Sequence, residues 1–173
     1  MTATKPIIEI VNVVASATID QKLDLYKIQD KFPDVEYNPD IFPGAVFRLK
    51  NPKSSTLLFS TGKMVCTGTK SKESAVKAVG IVVQKLRKKR IRIKKDAIVT
   101  VQNIVSSINL GGKIHLAEQF PGLIHRMLDP KTVILIFASG KLVCTGAKTE
   151  SDVYRSVNSL HSLLEEKELM LYD

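Results

Sequence analysis

Two phrases in the chain place reactive side chains at matched spacing: "KMVCTGTK" from Lys63 to Lys70 and "KLVCTGAK" from Lys141 to Lys148. They hold the only two cysteines, Cys66 and Cys144. A matched cysteine pair points to a disulfide or to half of a metal site. A repeated Thr-Gly-Lys points instead to contacts with phosphate or nucleic acid. No CxxC or Cys/His spacing accompanies the cysteines, so zinc is unsupported. His115, His125 and His161 form no catalytic spacing and no paired carboxylate stands out, so no residue is assigned to catalysis, to a metal or to a cofactor. The N-terminal "MTATKPIIEI" has no apolar signal core, which leads us to expect a reducing compartment and free thiols.

The bulk charge favours the second chemistry. A net charge of +9 and a pI near 9.6 suit a polyanionic partner, nucleic acid first and an anionic membrane surface second. Eight basic residues crowd into "KLRKKRIRIKK", Lys85 to Lys95, a run that reads equally as a binding patch or as a solvated helix end. With 44% hydrophobic and 25% charged residues the chain is expected to fold rather than stay disordered. Its apolar runs are too short to cross a bilayer, and no membrane partner is expected.

The elements that must position these residues come from a duplication. Phe42–Lys70 lies over Phe120–Lys148 without a gap, with 15 identities in 29 positions. Upstream, Ile10–Ile19 matches Val101–Leu110. The repeat divides the chain into units 1–92 and 93–173, joined through the basic stretch around Arg90–Lys95. Each unit reads as an opening strand (Ile7–Ala17, Ile98–Ile108) and a strand after Phe-Pro-Gly (Ala45–Lys50, Leu123–Leu128). A strand ending in phenylalanine follows, then the cysteine phrase as a last strand. Helical spacing then takes over: Ala75, Ala78, Val79, Val82, Val83 and Leu86 after Ser71, and Val153, Val157, Leu160 and Leu164 after Thr149. A further helix is expected near Gln21–Phe32 in the first unit. The sum is an α+β fold, an antiparallel sheet with helices on one face.

Such a sheet should be polar on its other face, yet the strands are apolar in both phases. Leu57 and Phe59 oppose Leu58, and Leu135 and Phe137 oppose Ile136. Val65 and Thr67 share one face while Met64 and Cys66 share the other; Val143 and Thr145 oppose Leu142 and Cys144 in the same way. An uncovered apolar face with basic residues at its edge marks a binding surface. The cysteines fall on the opposite phase, beneath the helices, as small packing residues.

The doubled frame of Phe-Pro-Gly, Arg, Pro-Lys, Leu-x-Phe, Gly-Lys and Val-Cys-Thr-Gly-x-Lys resembles the TATA-box-binding protein family over nearly the whole chain, in its archaeal, core-only form. The resemblance implies a pseudo-two-fold saddle, with a curved antiparallel sheet on DNA and helices on the convex face. It implies a general transcription initiation factor that binds the minor groove of A·T-rich promoter DNA and kinks it, the behaviour for which this family is a standard example. By similarity, Phe42, Phe59, Phe120 and Phe137 are the intercalating wedges. Asn12, Asn103, Thr67 and Thr145 meet base edges, with Val14, Val65, Val105, Val143, Leu57 and Leu135 as apolar contacts. Arg48, Lys63, Lys70, Arg126, Lys141 and Lys148 meet phosphates. The implied partners are double-stranded promoter DNA, the B-type initiation factor through Glu118 and Gln119, and RNA polymerase indirectly. The implied location is the nucleoid-associated cytoplasm for an archaeal source and the nucleus for a eukaryotic one.

The second unit departs from the family pattern. The path from Asn103 to Phe120 is much shorter than the equivalent path from Asn12 to Phe42, and "GGKIHLAEQF" leaves no room for a helix. His125 stands where the family has tyrosine, and Glu118 alone remains of an acidic stretch. These departures motivate a second reading, an interaction module that binds other factors without bending DNA. A third, an accessory domain of a nucleic-acid enzyme, lacks any catalytic segment.

Overall fold

The computed structural model describes residues 5–115 and 124–172. In chain order the elements are β1 (Ile7–Thr18), α1 (Leu25–Lys31), β2 (Ala45–Lys50), β3 (Lys53–Leu58), β4 (Lys63–Thr69), α2 (Lys72–Lys88), β5 (Ile98–Asn109), β6 (Lys113–Ile114), β7 (Ile124–Leu128), β8 (Lys131–Ile136), β9 (Lys141–Ala147), α3 (Glu150–Glu166) and β10 (Met170–Leu171). The chain packs as two units, one formed by Asn12–Gln102 and the other by Met1–Val11 with Asn103–Asp173.

In the Asn12–Gln102 unit the strands follow the antiparallel order β2-β3-β4-β1. Their register sets two kinds of cross-strand row. Ala45, Leu58, Met64 and Ala17 form one buried row, and Phe47, Thr56, Cys66 and Ala15 form the next. Shifted by one residue, Val46, Leu57, Val65 and Ser16 form a half-exposed row on the opposite face. The alternation of period two in the sequence is thus the alternation of covered and open faces.

Helix α2 covers the buried rows, packing on β3 and β4. Ser71 caps it by accepting from the Ser74 N–H at 3.0 Å, as an N-cap serine does. Ala75, Ala78, Val79, Val82, Val83 and Leu86 are its buried face, as the spacing predicts. The basic run resolves into structure: Lys85, Arg87 and Lys88 occupy the last turn, where positive charge complements the helix dipole. Arg87 then ties the following segment through Asp96 at 2.9 Å and the Ile93 carbonyl at 3.2 Å. The helix expected within Gln21–Phe32 is α1, capped by Asp24, and Phe32 meets buried Phe47 edge-on at 5.1 Å.

The other unit repeats this plan with the order β5-β9-β8-β7. Thr149 caps α3 by accepting from the Asp152 N–H at 3.1 Å. Its buried face holds Val153, Val157, Leu160 and Leu164 and also Ser156. The Ser156 hydroxyl bonds that of Thr132 at 2.8 Å. This buried polar pair is therefore satisfied. The short path noted in the sequence is β6, which pairs with β10 (Met170 opposite Ile114, Leu171 opposite Lys113). No helix precedes β7 among the described residues of this path. Where Phe47 is buried in the first repeat, the equivalent His125 is half-buried and lines a groove with Met127, Asn158, Ser159, Ser162, Leu163 and Glu166.

Candidate nucleic-acid interface

The open face of each unit carries the sequence-predicted residues in the same rows. In one unit Val46, Leu57, Val65 and Ser16 lie side by side, followed by Arg48, Ser55 and Thr67. In the other, Ile124, Leu135, Val143 and Ser107 lie side by side, followed by Arg126, Val133 and Thr145. Val14 and Val105 sit at irregularities, where the register shifts between Val13 and Ala15 and between Ile104 and Ser106. Leu57, Val65, Leu135 and Val143 are all half-buried, whereas Leu58, Met64, Ile136 and Leu142 on the opposite phase are fully buried.

Phe59 and Phe137 do not end the strands, as expected from sequence, but lie one residue beyond β3 and β8 at the mouth of the hairpin turns. Their backbone N–H groups donate to Lys63 (2.9 Å) and Lys141 (3.0 Å), which holds the turns closed while freeing the rings from the pleat. Gly62 and Gly140 close these turns at φ +90°, a left-handed conformation that glycine adopts without strain. Phe42 meets Phe59 edge-on with centroids 6.0 Å apart. Gly44 makes that pair possible, because a Cβ there would stand 2.8 Å from Phe42 and 3.0 Å from Phe59. Phe42 and Phe137 keep 41% and 46% of their surface exposed, far more than core packing leaves a phenylalanine. Phe120, Glu118 and Gln119 lie outside the described residues.

Beside each hairpin phenylalanine lies a hollow. One, about 710 Å³, is lined by Phe59, Val65, Lys63, Ser16, Thr18, Ile98 and Thr100 among others. Its counterpart, about 560 Å³, is lined by Phe137, Val143, Lys141, Ser107, Asn109, Ile7 and Glu9 among others. The sequence reading missed Ile98, Thr100, Ile7 and Glu9. Within β5 the exposed residues switch phase between Gln102 and Asn103, and within β1 between Val11 and Asn12, so a single alternation carried along either strand does not identify the residues exposed at its end. Gln102 also belongs to the open face, donating to the Ser16 hydroxyl at 2.8 Å.

In each unit one asparagine and one threonine of this surface are tied together. Asn12 Oδ1 accepts from the Gly68 N–H at 2.7 Å, and its Nδ2 donates to Thr67 Oγ1 at 3.2 Å. Asn103 repeats this, accepting from the Gly146 N–H at 2.6 Å and donating to Thr145 Oγ1 at 3.0 Å. Around the apolar area Lys63, Lys70, Lys141, Lys148 and Arg126 are exposed, as phosphate contacts require. Arg48 is exposed too, but it pairs with Glu36 at 2.9 Å, a contact the sequence did not signal.

Cys66 and Cys144 are free thiols on the covered face, and burial pushes both above the ordinary thiol range. A thiol so placed is poorly nucleophilic and poorly ligating. The described residues contain no group of three or more His, Cys, Asp or Glu able to hold a metal. None of the described helices is long and apolar enough to cross a membrane. What the arrangement offers is an apolar platform with a few fixed hydrogen-bond groups, exposed aromatic rings and a cationic edge, present twice.

Comparison with known proteins agrees with this geometry. A family model described as transcription factor TFIID (or TATA-binding protein, TBP) matches residues 7–89 and 116–167. The TATA-box-binding protein of Sulfolobus acidocaldarius is 43% identical, covering 94% of this chain and 89% of that protein. That of Pyrodictium occultum is 46% identical over 92% of this chain and 87% of its own length. Among solved structures, Methanococcus jannaschii TBP superposes with a TM-score of 0.82 at 38% identity, covering 92% of this chain and 98% of that one.

Proposed function

The chain belongs to the TATA-binding protein family, and from that premise we propose that it is a general transcription initiation factor that binds the minor groove of A·T-rich promoter DNA. The observation that carries the reading is the duplicated open face, apolar at its centre, aromatic at its hairpins and cationic at its edge. A minor groove of A·T pairs displays only acceptors, adenine N3 and thymine O2, along a floor without projecting amines. Leu57, Val65, Leu135 and Val143 fit that floor and leave a guanine N2 amine without a partner. The Asn and Thr side chains supply donors to the acceptors.

The Phe42–Phe59 pair enters one base step and Phe137, with Phe120, enters another. Unstacking a step costs a few kcal/mol, about what aromatic insertion and the extra contacts of a bent duplex return. Lys63, Lys70, Lys141, Lys148 and Arg126 neutralise phosphates flanking the groove. The DNA-bound protein then recruits the B-type initiation factor, with Glu118 and Gln119 contributing to that contact, and through it RNA polymerase.

Binding to an A·T-rich promoter duplex and to a G·C-rich duplex of equal length tests the reading. Preference for the first by at least one hundredfold is expected. Equal affinity, with B-type factor still bound in the absence of DNA, would replace it with a factor-binding module.

A further inference from the structure

We infer that Gly68 and Gly146 are specificity-determining positioning residues, whose backbone N–H groups fix the polarity of Asn12 and Asn103 so that each asparagine offers the groove its amide N–H and not its carbonyl. The inference rests on the DNA-binding reading above. An asparagine amide has two nearly isosteric ends, one that accepts and one that donates. Which end faces a base edge decides which base it accepts. In this chain the choice is made before DNA arrives.

A backbone N–H can only donate, so the amide atom it meets must be oxygen. That atom lies 2.7 Å from Gly68 N in one unit and 2.6 Å from Gly146 N in the other. With the oxygen held, Nδ2 turns to the neighbouring threonine, 3.2 Å from Thr67 Oγ1 and 3.0 Å from Thr145 Oγ1. One amide hydrogen is used there and the second stays free. Each threonine hydroxyl also lies 3.3 Å from its asparagine Oδ1, where its own proton rests until a better acceptor appears. An incoming adenine N3 or thymine O2 therefore meets two donors, the free amide hydrogen and the hydroxyl proton. A guanine N2 amine meets the same amide donor and no amide carbonyl, with only a remaining lone pair of the threonine hydroxyl to accept it. A reversed amide would present its carbonyl and welcome that amine.

The glycines are needed for the backbone rather than for space. Both sit at φ +98°, where L side chains rarely go. A Cβ at either position would find its nearest atoms at an ordinary 3.4 Å. A side chain therefore costs the φ angle, and relaxing φ swings the N–H away from the amide. Each glycine lies in a bulge of its own strand: β4 advances three residues, Thr69 to Cys66, while β1 advances two, Val13 to Ala15, and β9 does the same against β5. Such an irregularity re-aims the neighbouring side chains, and it brings Asn12 and Asn103 within reach of a backbone group on the next strand.

Two measurements on the full chain test this. In DNA-free, ¹⁵N/¹³C-labelled protein, a scalar coupling across the hydrogen bond is expected between Gly68 N and Asn12 Cγ, and between Gly146 N and Asn103 Cγ. Binding is then scanned on an A·T-rich duplex with adenines replaced one at a time by 3-deazaadenine, which lacks the N3 acceptor. The wild type should lose roughly three- to tenfold at the positions that face the two asparagines. Gly68→Ala should lose that sensitivity at one position, to less than twofold, and tolerate G·C there better than the wild type does. Should Gly68→Ala fail to fold, the wild-type coupling and scan decide alone. Intact A·T-selective binding without the couplings, or with a flat scan, overturns the inference. Absence of A·T-selective binding with the couplings present instead overturns the functional reading and leaves the amide lock standing.

Discussion

Glu36→Gln should strengthen DNA binding, because Glu36 occupies the guanidinium of Arg48 that the phosphate backbone would use. The pair is 2.9 Å long and both side chains are well exposed, 56% and 68%. An exposed pair of this kind is worth about 0.2–1 kcal/mol, so its loss should lower folding stability by no more than that. Releasing Arg48 removes the same cost from binding, a gain of about 1.4- to fivefold in affinity at moderate salt. The salt dependence gives a sharper readout. If Lys63, Lys70, Arg126, Lys141 and Lys148 each neutralise one phosphate, log K against log salt should have a slope of about −4.5, and a sixth contact should steepen it to about −5.4. Between about 50 and 200 mM salt the wild type would then lose affinity by about 500-fold and the variant by about 1,800-fold. Fluorescence anisotropy on a fixed A·T-rich duplex across that range measures both quantities. In an Arg48→Gln background the Glu36 substitution should change neither. An unchanged slope in Glu36→Gln, or a steeper slope that survives the loss of Arg48, would refute the assignment of Arg48 to the phosphates.

Gly44→Ala places a methyl 2.8 Å from the Phe42 ring and 3.0 Å from Phe59. It should displace both rings, leaving urea unfolding within about 1 kcal/mol of wild type while DNA affinity falls at least fivefold. Unaltered affinity would show that the geometry of the pair does not matter. Burial raises the thiols of Cys66 and Cys144 above their unfolded range. The stability they contribute is therefore complete below the unfolded pKa and is lost as pH rises through the folded one. Urea midpoints compared at pH 7, 9 and 10 should fall more in the wild type than in a Cys66→Ala/Cys144→Ala variant. Iodoacetamide at pH 8 should label the native thiols far more slowly than the unfolded ones. Parallel pH profiles or equal labelling rates would contradict their burial.

Much of this was legible in the sequence because repeats and periodicity report burial directly. The phase that set Cys66 with Met64 against Val65 with Thr67 is the phase the sheet shows, and all six apolar positions assigned to α2 are its buried face. Ser71 and Thr149 cap the helices through short-range interactions, which sequence spacing can express. What escaped depends on departures from period or on distant pairs. The switch of exposed phase within β1 and β5 hid Ile98, Thr100 and Gln102, because alternation carried through the irregular point assigns them to the core. Asn12 and Gly68 are far apart in the chain, and their bond depends on strand register that no local pattern states. The Glu36–Arg48 pair hides for a similar reason, since Glu36 lies in the segment before β2 and reaches the strand only through a bridge with Val46. The shortened path before the second Phe-Pro-Gly was visible as a missing length. That β6 pairs with the C-terminal β10 was not, since both strands are too short to have a periodicity to read.

The central claim is that exposed phenylalanines bend promoter DNA from an apolar, acceptor-reading face. The most direct measurement is the bend itself, from fluorescence transfer between dyes at the two ends of a short A·T-rich duplex, with wild type, Phe59→Ala and Phe137→Ala. The wild type should shorten the end-to-end distance sharply. Each variant should shorten it less and lose roughly 5- to 150-fold in affinity, the worth of one base–aromatic stack. A duplex that stays straight under saturating wild-type protein, or that bends equally under all three proteins, would contradict the account.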